Sequence, residues 1–187
     1  MVGNDIVDIA KAKKESNWQR PRFLDKLFTS KEQQIIHRSD NPFIMVWRLW
    51  SMKEAAYKLY TQINPSRFYN PKRFECEIKE KGSVVNFKNF KCYVETKITS
   101  DFIMSEASLK PSKLKSEVIQ LKSRNIKSSS LFLKEKLTNS ILENFGIEKD
   151  KLTLKKDNYG IPIVEFNTNK LYVSLTHHGN YGAFVIA

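Results

Sequence analysis

Cysteine is nearly absent from this 187-residue chain. Cys76 and Cys92 each lie inside a strand-like stretch, so they supply no disulfide framework and read as buried thiols in a reducing compartment. Long hydrophobic runs are missing too. No segment approaches the eighteen or more apolar residues of a membrane span, and MVGNDIVDIA carries acids where a signal peptide carries bases. The expectation is a soluble, cytoplasmic protein with no membrane partner. Acid is the scarcer charge: 20 Asp and Glu against 32 Lys and Arg leave a formal net charge of +12. Such a surface attracts nucleic acid, anionic lipid, phosphorylated small molecules or acidic proteins.

What is present is core material. Hydrophobic residues make up 41% of the chain, with 12 Phe, 7 Tyr and 3 Trp, which excludes overall disorder. MVGNDIVDIA reads as a short strand with Asp5 and Asp8 near its end. PRFLDKLFTSKEQQIIHR gives a helix, the cap signal Thr29-Ser30 followed by Glu32, then a second helix. Residues 44–62 form a long aromatic-rich helix that Pro65 and Pro71 prevent from continuing. FECEIKEKGSVVNF alternates around Gly82 like a hairpin, and KCYVETKITSDFIMSEASL adds two strand-like runs.

From 109 to 130 the composition turns lysine- and serine-rich and reads as a basic connector, with Val118, Ile119 and Leu121 as an ordered piece within it. LFLKEKLTNSILENFG then places Leu133, Leu137, Ile141 and Phe145 at steps of four, with Gly146 as a C-terminal stop. The remainder reads as three strands divided by DNYG and NTN turns. Helix followed by antiparallel strands thus occurs twice, giving an α+β fold in two parts: 1–108, and 131–187 beyond the connector.

LWSMKEAAYKLY sets two stripes on the long helix. Leu49, Met52, Ala56 and Leu59 recur at core spacing, while Trp50, Glu54 and Lys58 recur at steps of four. A solvated Glu54–Lys58 ion pair and a functional carboxylate both fit that pattern. Asp5, beside Gly3, either caps a turn or joins a glutamate in the oxygen-rich, few-ligand kind of site that Mg²⁺ uses with phosphates. His177 and His178 follow the strand LYVSLT, one facing inward and one out.

Taken together, GNDIVDI, WSMKEAAYK, GIP and SLTHHG resemble the 4′-phosphopantetheinyl transferase superfamily, and PRFLDKLFTSKE is similar to the segment between that family's first strand and its glutamate helix. The resemblance implies two similar subdomains of helices packed on antiparallel sheets in a pseudo-twofold arrangement. It also implies transfer of the 4′-phosphopantetheine arm of coenzyme A to a serine of an acidic apo carrier protein, as in fatty acid biosynthesis. Asp5 and Glu54 would hold Mg²⁺, and Glu54 and Lys58 would be catalytic. Lys58, Thr176 and His177 would contact coenzyme A.

Departures from the family pattern are visible. Val7 stands where the larger surfactin-type enzymes carry a second acid, Ile161 replaces the lysine of G-K-P, so that a coenzyme A contact is either lost or supplied by another base such as Lys155 or Lys156, and His178 stands where a small residue is usual. The half bearing the histidine comes last rather than first. That order fits a circularly rearranged pseudodimer that works as a monomer, against the competing account of a single small-synthase unit with one large insertion that needs a homo-oligomer to complete its cleft. The alternative from composition alone is a basic nucleic-acid-binding module, but no RRM-type, zinc-finger or helix-turn-helix motif is present, and no nucleic-acid partner is expected.

Overall fold

Alternating β-branched residues start the chain as β1 (Val2–Asp8), every residue of which is buried. The computed structural model describes residues 1–66, 69–79, 82–121 and 125–187, leaving aside the side chain at 126. Asp8 ends β1 by accepting a hydrogen bond from the Lys11 amide, which caps α1 (Ile9–Glu15), a helix the composition does not announce. Then come α2 (Phe23–Leu27) and α3 (Ser30–Arg38). The expected cap signal is a full capping box: the Glu32 amide donates to Thr29 Oγ1 and the Thr29 amide donates to Glu32 Oε2.

Asn41 and Pro42 open α4 (Pro42–Ile63), the long aromatic helix. Its expected core stripe, Leu49, Met52, Ala56 and Leu59, is wholly buried. It packs on an antiparallel sheet of order β1-β5-β4-β3-β2, where β2 is Glu75–Ile78, β3 is Ser83–Phe87, β4 is Phe90–Ile98 and β5 is Phe102–Ser108. The hairpin expected around Gly82 is the β2–β3 pair, whose residues 80 and 81 lie outside the described ones. Gly3 explains how closely α4 approaches β1. A Cβ there would lie 2.0 Å from Ala55 O and 2.7 Å from Leu59 N, so any side chain would push the helix off the strand.

Within the lysine- and serine-rich stretch, Lys115–Gln120 form a further strand, β6, and α5 (Ile126–Phe145) begins before residue 131; residues 122–124 lie outside the described ones. β6 buries only Ile119 and is held by its backbone ladder to the last strand, a pairing that does not depend on apolar composition. Along α5, Leu133, Leu137 and Ile141 are buried as expected, while Phe145 is 44% exposed and sets its ring at a tilt against that of Phe166. Gly146 stops the helix in the left-handed region.

Four strands follow rather than three: β7 (Leu152–Lys156), β8 (Pro162–Phe166), β9 (Asn169–His178) and β10 (Tyr181–Ile186). A turn with Gly179 at φ +59° divides the last expected strand in two. The second sheet has the order β6-β10-β9-β8-β7. Both halves therefore run strand, helix, four-strand meander, with the first strand closing against the last. This is an α+β fold of two antiparallel sheets, each packed with helices, in the expected pseudo-twofold arrangement. Among the described residues, no helix is long and apolar enough to cross a membrane.

The halves meet where β1 lies beside β9. The contact runs in one direction along both strands. The Asn4 amide donates to Ser174 Oγ, Thr176 Oγ1 donates to Asp5, and the Asp8 amide donates to His178 Nδ1. Period-two alternation turns Ser174, Thr176 and His178 toward β1, while Val173 and Leu175 pack toward α5.

Candidate functional site

Asp5 sits in the middle of β1 rather than at a turn, and it is 9% exposed. Its Oδ1 accepts from Lys58 Nζ at 3.1 Å and from Thr176 Oγ1 at 3.0 Å, so one oxygen joins residues from both halves. Lys58 Nζ also donates to the Asn4 carbonyl at 2.8 Å, which fixes the ammonium at the strand. Among the described residues, Lys58 makes its ion pair with Asp5 and not with Glu54, so the simple helix-surface pair is not what forms.

Glu54, one turn back on α4, is half-buried beside this cluster. Burial raises its carboxyl above the ordinary range, the Asp5 charge adds to that, and Lys58 and Tyr69 pull it down. Asp5 is likewise raised by burial, against the pull of Lys58, Thr176 and His178. Two desolvated carboxylates that repel each other favour a proton or a cation between them. Asp5 Oδ2 accepts no hydrogen bond from a described residue. Two hard oxygen donors suit a small divalent ion that takes its remaining ligands from water and phosphate. Among the described residues no group of three or more His, Cys, Asp and Glu assembles, so the protein part of such a site is this pair.

The cluster opens into a cleft of about 350 Å³ between the halves, lined by Lys58 and Gln62 from α4, Lys134 from α5, Lys155 and Lys156 from β7, and His177. Among the described residues no acidic side chain lines it. Both lysines suggested as substitutes for the missing G-K-P lysine reach the cleft, where Ile161 also lies; Lys155 is tied to Glu165 at 2.6 Å, which leaves Lys156 and Lys134 less committed. The site as a whole suits a polyanion.

The histidine pair divides as alternation requires. His177 is exposed in the cleft beside Lys58, whose charge, after burial, lowers its affinity for a proton. His178 faces β1 and is half-buried. Thr176, expected among the ligand contacts, is buried with its hydroxyl turned to Asp5.

Three residues near the site escape sequence reasoning. Lys134 sits in a region whose lysines all look alike. Tyr69 lies in a proline-rich loop, its ring 4.3 Å from that of Tyr57, with a buried hydroxyl that finds no well-formed hydrogen bond; burial and the Glu54 charge keep it a phenol. Lys53, beside Glu54, is wholly buried and donates to Glu32 Oε1 at 2.7 Å, to Glu32 Oε2 at 2.9 Å and to the Phe74 carbonyl at 2.6 Å. Glu32 also accepts from the Cys76 amide, so this ion pair joins α3, α4 and β2 directly behind the site. The signal for it was the K-E pair read together with the capping-box glutamate.

Residues 1–107, β1 through most of β5, match a family model described as the 4′-phosphopantetheinyl transferase superfamily. The chain is similar to the holo-[acyl-carrier-protein] synthase of Caldanaerobacter subterraneus subsp. tengcongensis, 34% identical over 58 residues that make up 31% of this chain and 45% of that one. It is similar also to the holo-[acyl-carrier-protein] synthase of Chlamydia felis, 37% identical over 57 residues, 30% of this chain and 47% of that one. The chain thus spans less than half the length of either curated relative it matches.

Proposed function

Because the chain belongs to the 4′-phosphopantetheinyl transferase superfamily, we propose that it moves the 4′-phosphopantetheine arm of coenzyme A onto a serine of an acidic apo acyl or peptidyl carrier protein, with Mg²⁺, releasing adenosine 3′,5′-bisphosphate. The observation that carries this reading is the contact of Asp5 with Lys58 and Thr176 across the two halves, beside Glu54, with Lys58 also lining a cleft that among the described residues holds lysines and no acid.

Mg²⁺ held by Asp5 and Glu54 would neutralise charge on the pyrophosphate. The serine Oγ attacks the β-phosphorus, a new P–O bond forms, and the bond to the bridging oxygen breaks with its electron pair leaving on the adenosine bisphosphate. Glu54, whose raised carboxyl binds a proton more readily than an exposed one, accepts the serine proton. Lys58, already fixed at the strand by the Asn4 carbonyl, offsets the charge of the leaving phosphate without having to reorganise. His177 binds a coenzyme A phosphate from the opposite wall, and Thr176 orders Asp5 from the same strand.

The remaining parts of the reading follow the same lines. Residues 1–108 and 131–187 act as two subdomains of one monomer, β6 adding a strand to the second. The carrier is drawn by the +12 charge. A reducing cytoplasm suits the two unpaired thiols. The test is to incubate the protein with coenzyme A, Mg²⁺ and a panel of apo carriers and to read intact carrier mass. Addition of one phosphopantetheine arm, lost on chelation of Mg²⁺, is the expected result; unmodified carriers throughout would overturn the reading.

A further inference from the structure

Asp8, three residues beyond Asp5 on β1, is 1% exposed, and both of its carboxylate oxygens are already taken by backbone amides. Oδ1 accepts from the Lys11 amide at 2.9 Å, and Oδ2 accepts from the Asn180 amide, in the β9–β10 turn, at 2.8 Å. In return the Asp8 amide donates to His178 Nδ1 at 2.9 Å. Backbone and side chain are therefore exchanged in both directions between the end of one half's first strand and the turn of the other half. This is the logic of a capping box applied across a subdomain junction.

Gly179 closes the arrangement. It has φ +59°, and a Cβ on it would lie 2.2 Å from Asp8 Oδ2 and 2.7 Å from Asp8 Cγ. Turn and carboxylate are thus in contact at a spacing no other residue permits. The position of this clasp matters for the cleft. At roughly 3.3 Å per residue along a strand, Asp8 lies about 10 Å from Asp5, and His178 directly follows His177. Nearer the cleft the two strands are joined by the Thr176–Asp5 and Asn4–Ser174 bonds alone on this line of contact. Hydroxyls on rotatable side chains hold register less firmly than a carboxylate locked by two amides.

We propose that Asp8, His178 and Gly179 form an inter-half clasp that positions His177 and Thr176 against Asp5, Glu54 and Lys58. Asp8 acts through this junction and not as a ligand of the ion. The inference rests on the reading above for its kinetic consequence, because a substrate held from both walls needs the walls in fixed register.

Two variants cut the clasp from opposite sides. Asp8→Asn keeps one acceptor oxygen, so the Lys11 and Asn180 amides cannot both be satisfied; Gly179→Ala drives the turn away from the carboxylate. Both should fold, with the amides of Asn180 and Asn4 exchanging about tenfold or more faster by NMR, the scale of losing one hydrogen bond to a charged group. Mn²⁺ affinity, measured by relaxation without substrate, should stay within about twofold of the parent, because the carboxylates of Asp5 and Glu54 are intact. Turnover should fall about tenfold with the KM for carrier unchanged, a 1 Å-scale misplacement rather than a lost contact. His178→Asn, which keeps an acceptor near the Nδ1 position, should retain turnover that His178→Ala loses.

Loss of Mn²⁺ affinity in Asp8→Asn equal to that of Glu54→Gln would overturn the proposal by making Asp8 an ion ligand. Unchanged exchange at Asn4, or full turnover with the clasp cut, would overturn it as well. A parent that modifies no carrier removes the proposed activity instead, and the exchange and Mn²⁺ measurements then decide the clasp by themselves.

Discussion

The two halves share one strand order and almost nothing of its chemistry. Counting back from the matching two-residue turns, Thr99, whose amide donates to the Phe102 carbonyl, corresponds to His178 opposite Tyr181, which aligns Ile98 with His177 and Lys97 with Thr176. On the first strands the same registers set Asp5, opposite Ser105, against Glu117, opposite Phe184. Asp5 is buried where Glu117 is exposed, and the counterpart of His177 is Ile98, so the first half carries the buried acid and the second the histidine. The helices differ as well: α4 buries Lys53 against Glu32 behind the site, whereas the buried residues of α5 in its core are Leu133, Leu137 and Ile141. A topology can repeat while each copy keeps only the part of a site that faces the shared cleft. Fold is therefore a poor guide to which residues act.

The largest effect expected from breaking this contrast is on stability. Lys53→Met leaves Glu32 buried without its ammonium and should cost about 3–5 kcal/mol in urea unfolding. Leu137→Ala on α5 should cost about 2–5 kcal/mol through a cavity. Adding Glu32→Gln should recover part of the first loss, and no second substitution of that kind exists for the second. A Lys53→Met protein as stable as the parent would show that the pair does not hold the first half together.

Next in size is the trade between activity and stability at Glu54. Glu54→Gln should lower turnover at least about 100-fold, more than loss of an outer-shell partner. The same change should raise the melting temperature of the metal-free protein at neutral pH. The raised carboxyls mean that the native state binds protons the unfolded chain has released, so their ionised form opposes folding above the ordinary carboxylate range. A lower melting temperature would place Glu54 in a stabilising role.

Smaller again is the comparison of register-equivalent residues. His177→Ala should reduce kcat/KM for coenzyme A about 10–100-fold, the scale of a hydrogen bond to a charged group, and Ile98→Ala, at an exposed position, should change it by less than about twofold, as expected away from such features. Mixing Glu54→Gln chains with His177→Ala chains should restore nothing if one chain holds the whole site. Recovery on mixing would put the cleft between chains.

The smallest effect is the pH dependence of the junction. Burial and Lys11 hold His178 below its ordinary value of 6.5, against Asp8, Asp5 and Glu15. The unfolded chain therefore binds the extra proton first, and stability should decline as pH falls below about 6.5 toward the lowered native value. The imidazole is partly solvated, so the melting temperature should drop by no more than about 2–4 °C. His178→Asn should flatten that slope; an unchanged slope would assign it to other groups.

Much of this was legible in the sequence, unevenly and for physical reasons. Leu49, Met52, Ala56 and Leu59 announced the buried face of α4 because helical spacing encodes burial directly, and Thr29 with Glu32 announced the cap because that motif is local. Asp5, Glu54, Lys58 and His177 were singled out; Lys58 and His177 line one cleft, and Asp5 and Glu54 lie behind Lys58. β6 showed only as an ordered piece around Val118, Ile119 and Leu121, since a strand held by backbone pairing leaves little trace in composition. The partners of Asp8 and Glu32 were hidden because they are amides more than 170 and about 44 positions away. No spacing rule reaches that far.

Cys76 and Cys92 both lie opposite Val85, one on each side of β3. Two strand spacings of about 4.8 Å separate them, beyond the reach of a disulfide. Burial pushes the Cys92 thiol up to about 12 and Cys76 further still. A thiol reagent therefore meets neither until the first sheet opens, and the second half contributes no cysteine to the signal. The unaltered chain carries its own reporter: the labelling rate times how often β2 or β4 comes away, and a ligand that binds the closed cleft should be readable as a slower clock.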